Sequence, residues 1–213
     1  TSQVNLYNVN SLDKLIGYFE NFPGIGARQA RRFAFHILTL PKPEVEELSK
    51  LISSMQATVT ECSSCRRFFA QNGGRSDNCS ICADSNRDLS KLLVIERDSD
   101  IQSIERSGVY DGLYFVLGGT VPLLEAKENQ KLRGGGLKRV VEERLLQGLS
   151  EVILGFSINP DGENTGRFVE SIIKSITGAH KLKISHLGRG LSTGSELEYA
   201  DPETLKNALQ NRY

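Results

Sequence analysis

The sequence predicts an α/β protein with an N-terminal helix-hairpin-helix, a four-cysteine zinc knuckle, a mostly parallel sheet flanked by helices, and a short C-terminal segment. Three observations carry this. Short apolar runs at 92–95, 112–117 and 151–156 alternate with helical stretches, the pattern of parallel strands joined by crossover helices. The first 58 residues instead repeat apolar positions at helical spacing. Between the two regions lie the chain's only four cysteines, arranged as two C-x-x-C pairs. The implied boundaries are 1–58 for the helical hairpin, 59–88 for the knuckle, 89–187 for the sheet and 188–213 for the C-terminal segment.

In the first region Ser11 is placed to cap a helix whose Leu12, Leu15, Ile16 and Phe19 share a face. The pattern breaks at Phe22-Pro23-Gly24-Ile25-Gly26, resumes from Ala27 to Leu40, and stops at Pro41 and Pro43. A third helix over about 44–58 puts Val45, Leu48, Leu51, Ile52 and Met55 on one side. Pro23-Gly24-Ile25-Gly26 between two helices has the form of a hairpin turn whose glycines let the backbone come close to a phosphate. Arg28, Arg31 and Arg32 follow in the first turns of the next helix, so that Gly24, Gly26 and the three arginines make a candidate site for DNA backbone that ignores base sequence. An ordinary helical hairpin with a solvated basic face is the alternative. The formal net charge is zero, yet residues 1–42 carry Lys14, Arg28, Arg31, Arg32 and Lys42 against Asp13 and Glu20, a local excess of three. One basic module suffices to bind phosphate chains.

Cys62-x-x-Cys65 and Cys79-x-x-Cys82 are separated by thirteen residues. Two such turns facing one another close a tetrahedral thiolate cage, which predicts one structural zinc ion per chain with no open ligand position. Two disulfides or a redox dithiol are the alternatives. The intervening loop is polar and has little to bury, so a metal is needed to order it.

The runs at 92–95 and 112–117 read as strands buried on both faces, with helices at 99–107, about 136–148 and 164–178 and a last strand at 181–187. Glu96, with Asp98 and Asp100, follows one strand directly; Asn159-Pro160-Asp161-Gly162-Glu163 follows another. Glu96, Asp161 and Glu163 could hold a magnesium ion weakly at the strand ends, but loop acids and helix caps account for the same pattern and are favoured on spacing alone. Arg133-Gly134-Gly135-Gly136-Leu137-Lys138-Arg139 lacks Walker spacing and reads as a flexible basic loop. His36, His180 and His186 show no ligand spacing and read as structural. No apolar run approaches the roughly 18 residues of a membrane span, and Thr1–Asn10 lack a secretion signal. With paired thiols suited to metal, this points to the cytoplasm.

The chain resembles the RecR family of bacterial recombination mediators. The likeness covers about residues 9–210. It lies in Phe22-Pro23-Gly24-Ile25-Gly26 with Arg31–His36, the four cysteines, Gly112–Gly119, Asn159-Pro160, and Gly190-Leu191 to Glu196–Asp201. The resemblance implies a Toprim-type sheet domain and assembly into dimers or ring tetramers that encircle DNA. It also implies cooperation with RecO and RecF in loading recombinase onto gapped DNA. It puts DNA contacts at Arg28 and Arg32, the Toprim glutamate at Glu96, and Glu163 in a partner-docking acidic surface. Catalytic Toprim domains pair their glutamate with Asp-x-Asp, whereas here Asn159 holds the first of those positions, which implies a clamp without catalysis. A magnesium-dependent nuclease is the alternative function, and a zinc-ribbon adaptor a third.

Overall fold

The computed structural model describes residues 10–71, 74, 76–123, 132–176, 181–188, 198, 200 and 202–210. Most of the C-terminal motif at 190–201, together with His180, lies outside the described residues. The chain divides into two compact units, 1–58 and 59–213.

The first unit consists of α1 (Ser11–Glu20), α2 (Ala27–Thr39) and α3 (Lys42–Thr58). Asn10, not Ser11, caps α1: its Oδ1 accepts the Asp13 N–H at 2.8 Å. An Asn side chain reaches the first-turn amides as well as Ser does, and it sits one residue earlier. Ala30 and Ala34, four apart on α2, are fully buried, and small side chains at that spacing let α1 and α2 pack closely. Phe19 of α1 meets Phe33 of α2 edge-to-face at 5.9 Å. α3 begins at Lys42 with Pro43 in its first turn, where a missing N–H costs nothing. Its apolar side is not covered among the described residues: Leu51, Ile52 and Met55 are 60%, 61% and 56% exposed.

The second unit opens with the antiparallel pair β1 (Val59–Glu61) and β2 (Phe68–Ala70) and the short α4 (Ser80–Ala83). The four-stranded sheet follows: β3 (Asp88–Ile95), β4 (Gly112–Val116), β5 (Glu151–Gly155) and β6 (Lys183–His186), in the order β4-β3-β5-β6 and all parallel. Side chains alternate across it. Leu92, Val94, Leu113, Phe115, Val152 and Leu154 pack with residues of α6 (Gly134–Leu145) and α7 (Pro160–Lys174). Leu93, Ile95, Tyr114 and Val116 share the other cluster with Ile101 of α5 (Asp98–Ser107) and three of the cysteines. Every residue of β4 is buried, as its unbroken apolar run requires. A half-buried network staples this second face: Arg87 grips Glu105 in a fork, one arm at 2.9 Å, and Tyr114 donates its hydroxyl to Glu105 Oε1 at 2.6 Å. The chain ends in α8 (Pro202–Gln210).

Two expected loops are helix. Gly134-Gly135-Gly136 forms the first turn of α6. Glycine disfavours helix, but a Cβ on buried Gly134 would sit 3.1 Å from atoms of Ile172 and Phe168, so close packing of α6 on α7 holds the turn there. The segment 160–163 is likewise the start of α7, with Pro160 in the first turn.

Candidate functional site

The hairpin turn is built as its residue types dictate. Asn21 closes α1 by donating its side-chain amide to the Gly17 carbonyl at 3.0 Å, and Ile25 N–H reaches the Phe22 carbonyl at 3.0 Å. Gly24 has φ +76, a left-handed conformation that other residues adopt only with strain. Gly26 caps α2 without a side chain, so no side-chain oxygen competes for the Ala27 and Arg28 amides of the first turn. Arg28, Arg31 and Arg32 then project from α2, all exposed, and among the described residues no carboxylate pairs with any of them. Open amides at a helix start, beside three cations, form a surface that a phosphate fits.

The cysteines converge. Their four Sγ atoms lie within 4.8 Å of one another, the sole group of three or more potential metal ligands that do so among the described residues. Cys65 and Cys79 Sγ are 3.6 Å apart, close to the edge of about 3.8 Å expected for a zinc–thiolate tetrahedron. Cys79 N–H points at Cys62 Sγ at 3.3 Å, and Asn78 Oδ1 accepts from the hydroxyls of Ser63 and Ser64 at 3.0 and 2.8 Å, tying one C-x-x-C turn to the other. Donation by Cys65, then Cys79 and Cys82, holds the Cys62 thiol far below the ordinary thiol range, while Cys65, as a donor to Cys62, is pushed up. Three of the four are buried, and the set could hold a metal such as zinc.

The knuckle is fastened to the sheet by contacts that sequence reading missed. Val116 N–H at the end of β4 donates to the Cys65 carbonyl at 2.8 Å. Phe68 N–H of β2 donates to Asp98 Oδ1 at 2.8 Å. Arg133 donates to the Val116 carbonyl at 3.2 Å, pairs with Glu61 at 2.9 Å and lies over the Phe68 ring at 5.6 Å. The segment at 133–139 is thus a fastening, in place of the expected flexible basic loop. Its only sequence signal was an arginine at a helix start, where the macrodipole disfavours a cation unless it has partners.

The carboxyl ends of β3 and β5 flank the point where strand order reverses, the usual ligand crevice of such sheets. There Glu96 is buried, and its Oε1 accepts the Ser157 N–H at 2.7 Å. Asp161 accepts the Leu123 N–H at 3.0 Å, Asp100 accepts the Arg97 N–H at 2.9 Å, and Asn159 caps α7 by accepting from Gly162 N–H at 2.8 Å. Glu163 is paired across one turn with Arg167 at 3.8 Å. Glu96, Asp161 and Glu163 are not brought together as a ligand group. Beside them a cleft of about 450 Å³, lined by Phe156, Ser157, Glu163, Arg167, Glu170 and His186, opens between α7 and the ends of β5 and β6. Among the described residues no helix is long and apolar enough to cross a membrane.

Residues 12–55 match a family model described as RecR, helix-hairpin-helix, and residues 190–213 match RecR, C-terminal. The Recombination protein RecR of Ligilactobacillus salivarius (strain UCC118) is 34% identical over 201 residues, covering 94% of this chain and 96% of that protein. That of Lactobacillus johnsonii (strain CNCM I-12250 / La1 / NCC 533) is 35% identical over 200 residues, covering 93% and 94%. With likeness of this extent, on a hairpin, cysteine cluster and parallel sheet in the same chain, the protein belongs to the RecR family.

Proposed function

We propose that the protein is a non-catalytic DNA clamp of recombinational DNA repair in the cytoplasm, acting with RecO and RecF to help load recombinase on gapped DNA. The observation that carries this reading is the row of exposed, carboxylate-free arginines, Arg28, Arg31 and Arg32, directly after the Gly24–Gly26 turn. Nothing in that row reads bases, so it suits double-stranded and gapped DNA of any sequence. One protomer brings about three cations, which alone bind weakly and in a salt-sensitive way. Joining protomers into a dimer or ring tetramer multiplies the grip through effective concentration, without new contacts. The uncovered apolar side of α3 supports such self-assembly, because exposed stripes of this kind mark interaction surfaces.

One structural zinc held by Cys62, Cys65, Cys79 and Cys82 would keep the knuckle closed against the sheet. The edge carrying Glu96, Asp161 and Glu163 serves as a partner-docking surface, with exposed Glu163 its outermost carboxylate and any magnesium binding weak. Against a nuclease stands the use of these groups: Glu96 and Asp161 hold backbone amides, and Asn159 is a neutral cap. DNA cleavage in magnesium that vanishes in Glu96→Ala would reverse that choice. The main test is anisotropy of labelled gapped duplex across salt. The expected log–log slope is about −2.7 per protomer for wild type and about −0.9 for Arg28→Ala/Arg32→Ala. Identical slopes would remove the hairpin from the DNA contact.

A further inference from the structure

Phe22 is a large apolar residue at the outer corner of the hairpin, yet 54% of its surface is exposed. Its position is fixed. The Phe22 N–H donates to the Phe19 carbonyl at 3.1 Å, the Phe22 carbonyl accepts from Ile25 at 3.0 Å, and Pro23 and left-handed Gly24 follow. The ring itself meets Phe19 at 5.7 Å and 81°, and Phe19 in turn meets Phe33, the residue after Arg32, at 5.9 Å and 79°. Such edge-to-face contacts hold rings in place, so the open part of Phe22 is offered at little further entropic cost.

From these observations we infer that Phe22 is a stacking wedge for an unpaired base, which sets the hairpin at the boundary between single strand and duplex. The inference rests on the proposed role of the arginines as the backbone contact. Charge decides the occupant: a rigid aromatic ring within the same hairpin as three cations matches a ligand that is anionic and also presents an apolar π-face. Unpaired nucleotides have both properties, and stacking tolerates any base. Intact duplex keeps its π-faces inside the helix, so the ring meets a free base at gap edges and frayed ends.

The test uses the full chain and a gapped duplex carrying 5-iododeoxyuridine at the first unpaired position. Irradiation is expected to cross-link that base to the peptide containing Phe22. The ratio of gapped to intact-duplex affinity is expected to fall on the order of tenfold in Phe22→Ala and to be kept in Phe22→Tyr. Arg28→Ala/Arg32→Ala is expected to weaken both substrates and leave the ratio in place. If the arginine variant binds both substrates normally, the backbone reading fails and takes this one with it. If the arginine variant weakens binding but Phe22→Ala keeps the ratio, the wedge alone fails. It also fails if Phe22→Leu keeps the ratio as well as Phe22→Tyr does, because bulk would then suffice. A change of solution mass in Phe22→Ala without loss of the affinity ratio would assign the ring to a contact between copies, against the inference. Unchanged circular-dichroism melts establish that each variant is folded.

Discussion

Replacing Arg133 by alanine should loosen the cysteine knuckle from the sheet while leaving both folded elements intact. Three contacts are lost. The ion pair to Glu61, whose partners are 22% and 36% exposed, contributes about 0.5 kcal/mol after solvent screening. The charged hydrogen bond to the Val116 carbonyl at 3.2 Å contributes about 1.5 kcal/mol. The cation over Phe68 contributes about 0.5 kcal/mol. The backbone bond from Arg133 to Leu117 survives the substitution. A loss of about 2.5 kcal/mol in a unit of this size lowers the melting temperature by roughly 5–10 °C. The assay is a calorimetric melt of the metal-loaded protein, paired with zinc transfer to a chromogenic chelator. Faster transfer from Arg133→Ala than from wild type is expected. Arg133→Lys should recover less than half, since it keeps the charge but not the planar fork. Wild-type melting together with wild-type zinc transfer in Arg133→Ala would refute the idea that this side chain couples knuckle to sheet.

The glycine turn of α6 yields a paired outcome: Gly134→Ala should destabilise by about 1–2 kcal/mol through contact with Ile172 and Phe168, whereas Gly135→Ala, whose Cβ would meet nothing within 4 Å, should stabilise by about 1 kcal/mol in urea unfolding. Arg87 beside Glu105 holds that carboxyl below the usual carboxylate range, so its contribution is present above that range and is lost as pH falls through the depressed folded value. The stability advantage of wild type over Glu105→Gln should therefore be full near neutrality and shrink on acidification, as read by urea midpoints across pH. Removal of metal by a strong chelator should release about one zinc per chain, measured by metal analysis, and should alter the circular dichroism of the knuckle before that of the parallel sheet.

Much of the architecture was legible because it is written in local patterns. Apolar runs at 92–95 and 112–117 have the length and composition of strands covered twice, as they are here, and the cysteine spacing brings four sulfurs together once the chain turns. Boundaries were less legible where capping decided them. α7 starts at Pro160 because Asn159 turns its side chain back on Gly162, and α1 starts after Asn10 for the same reason. The Gly134–Gly136 turn was unreadable in principle: its helical form depends on Ile172 and Phe168, more than thirty residues away in sequence. Arg133 was missed for the same kind of reason, since its partners Glu61 and Phe68 lie in a different module. The acids after β3 and β5 could be seen but not their employment, because a carboxylate that accepts one backbone amide looks the same in sequence as one that waits for a cation.

Those acids carry a lasting constraint on how this scaffold can change. Glu96 and Asp161 act as pegs: each pins a loop by its amide hydrogen, so that neutralising either loosens the segment it pins. A lineage drifting toward metal chemistry here would have to share each carboxylate between amide and ion, and to place an acid at Asn159 without unseating the helix that it starts. Metal chemistry at this edge would draw on the same two carboxylates that pin these loops, so a change in one role carries over to the other.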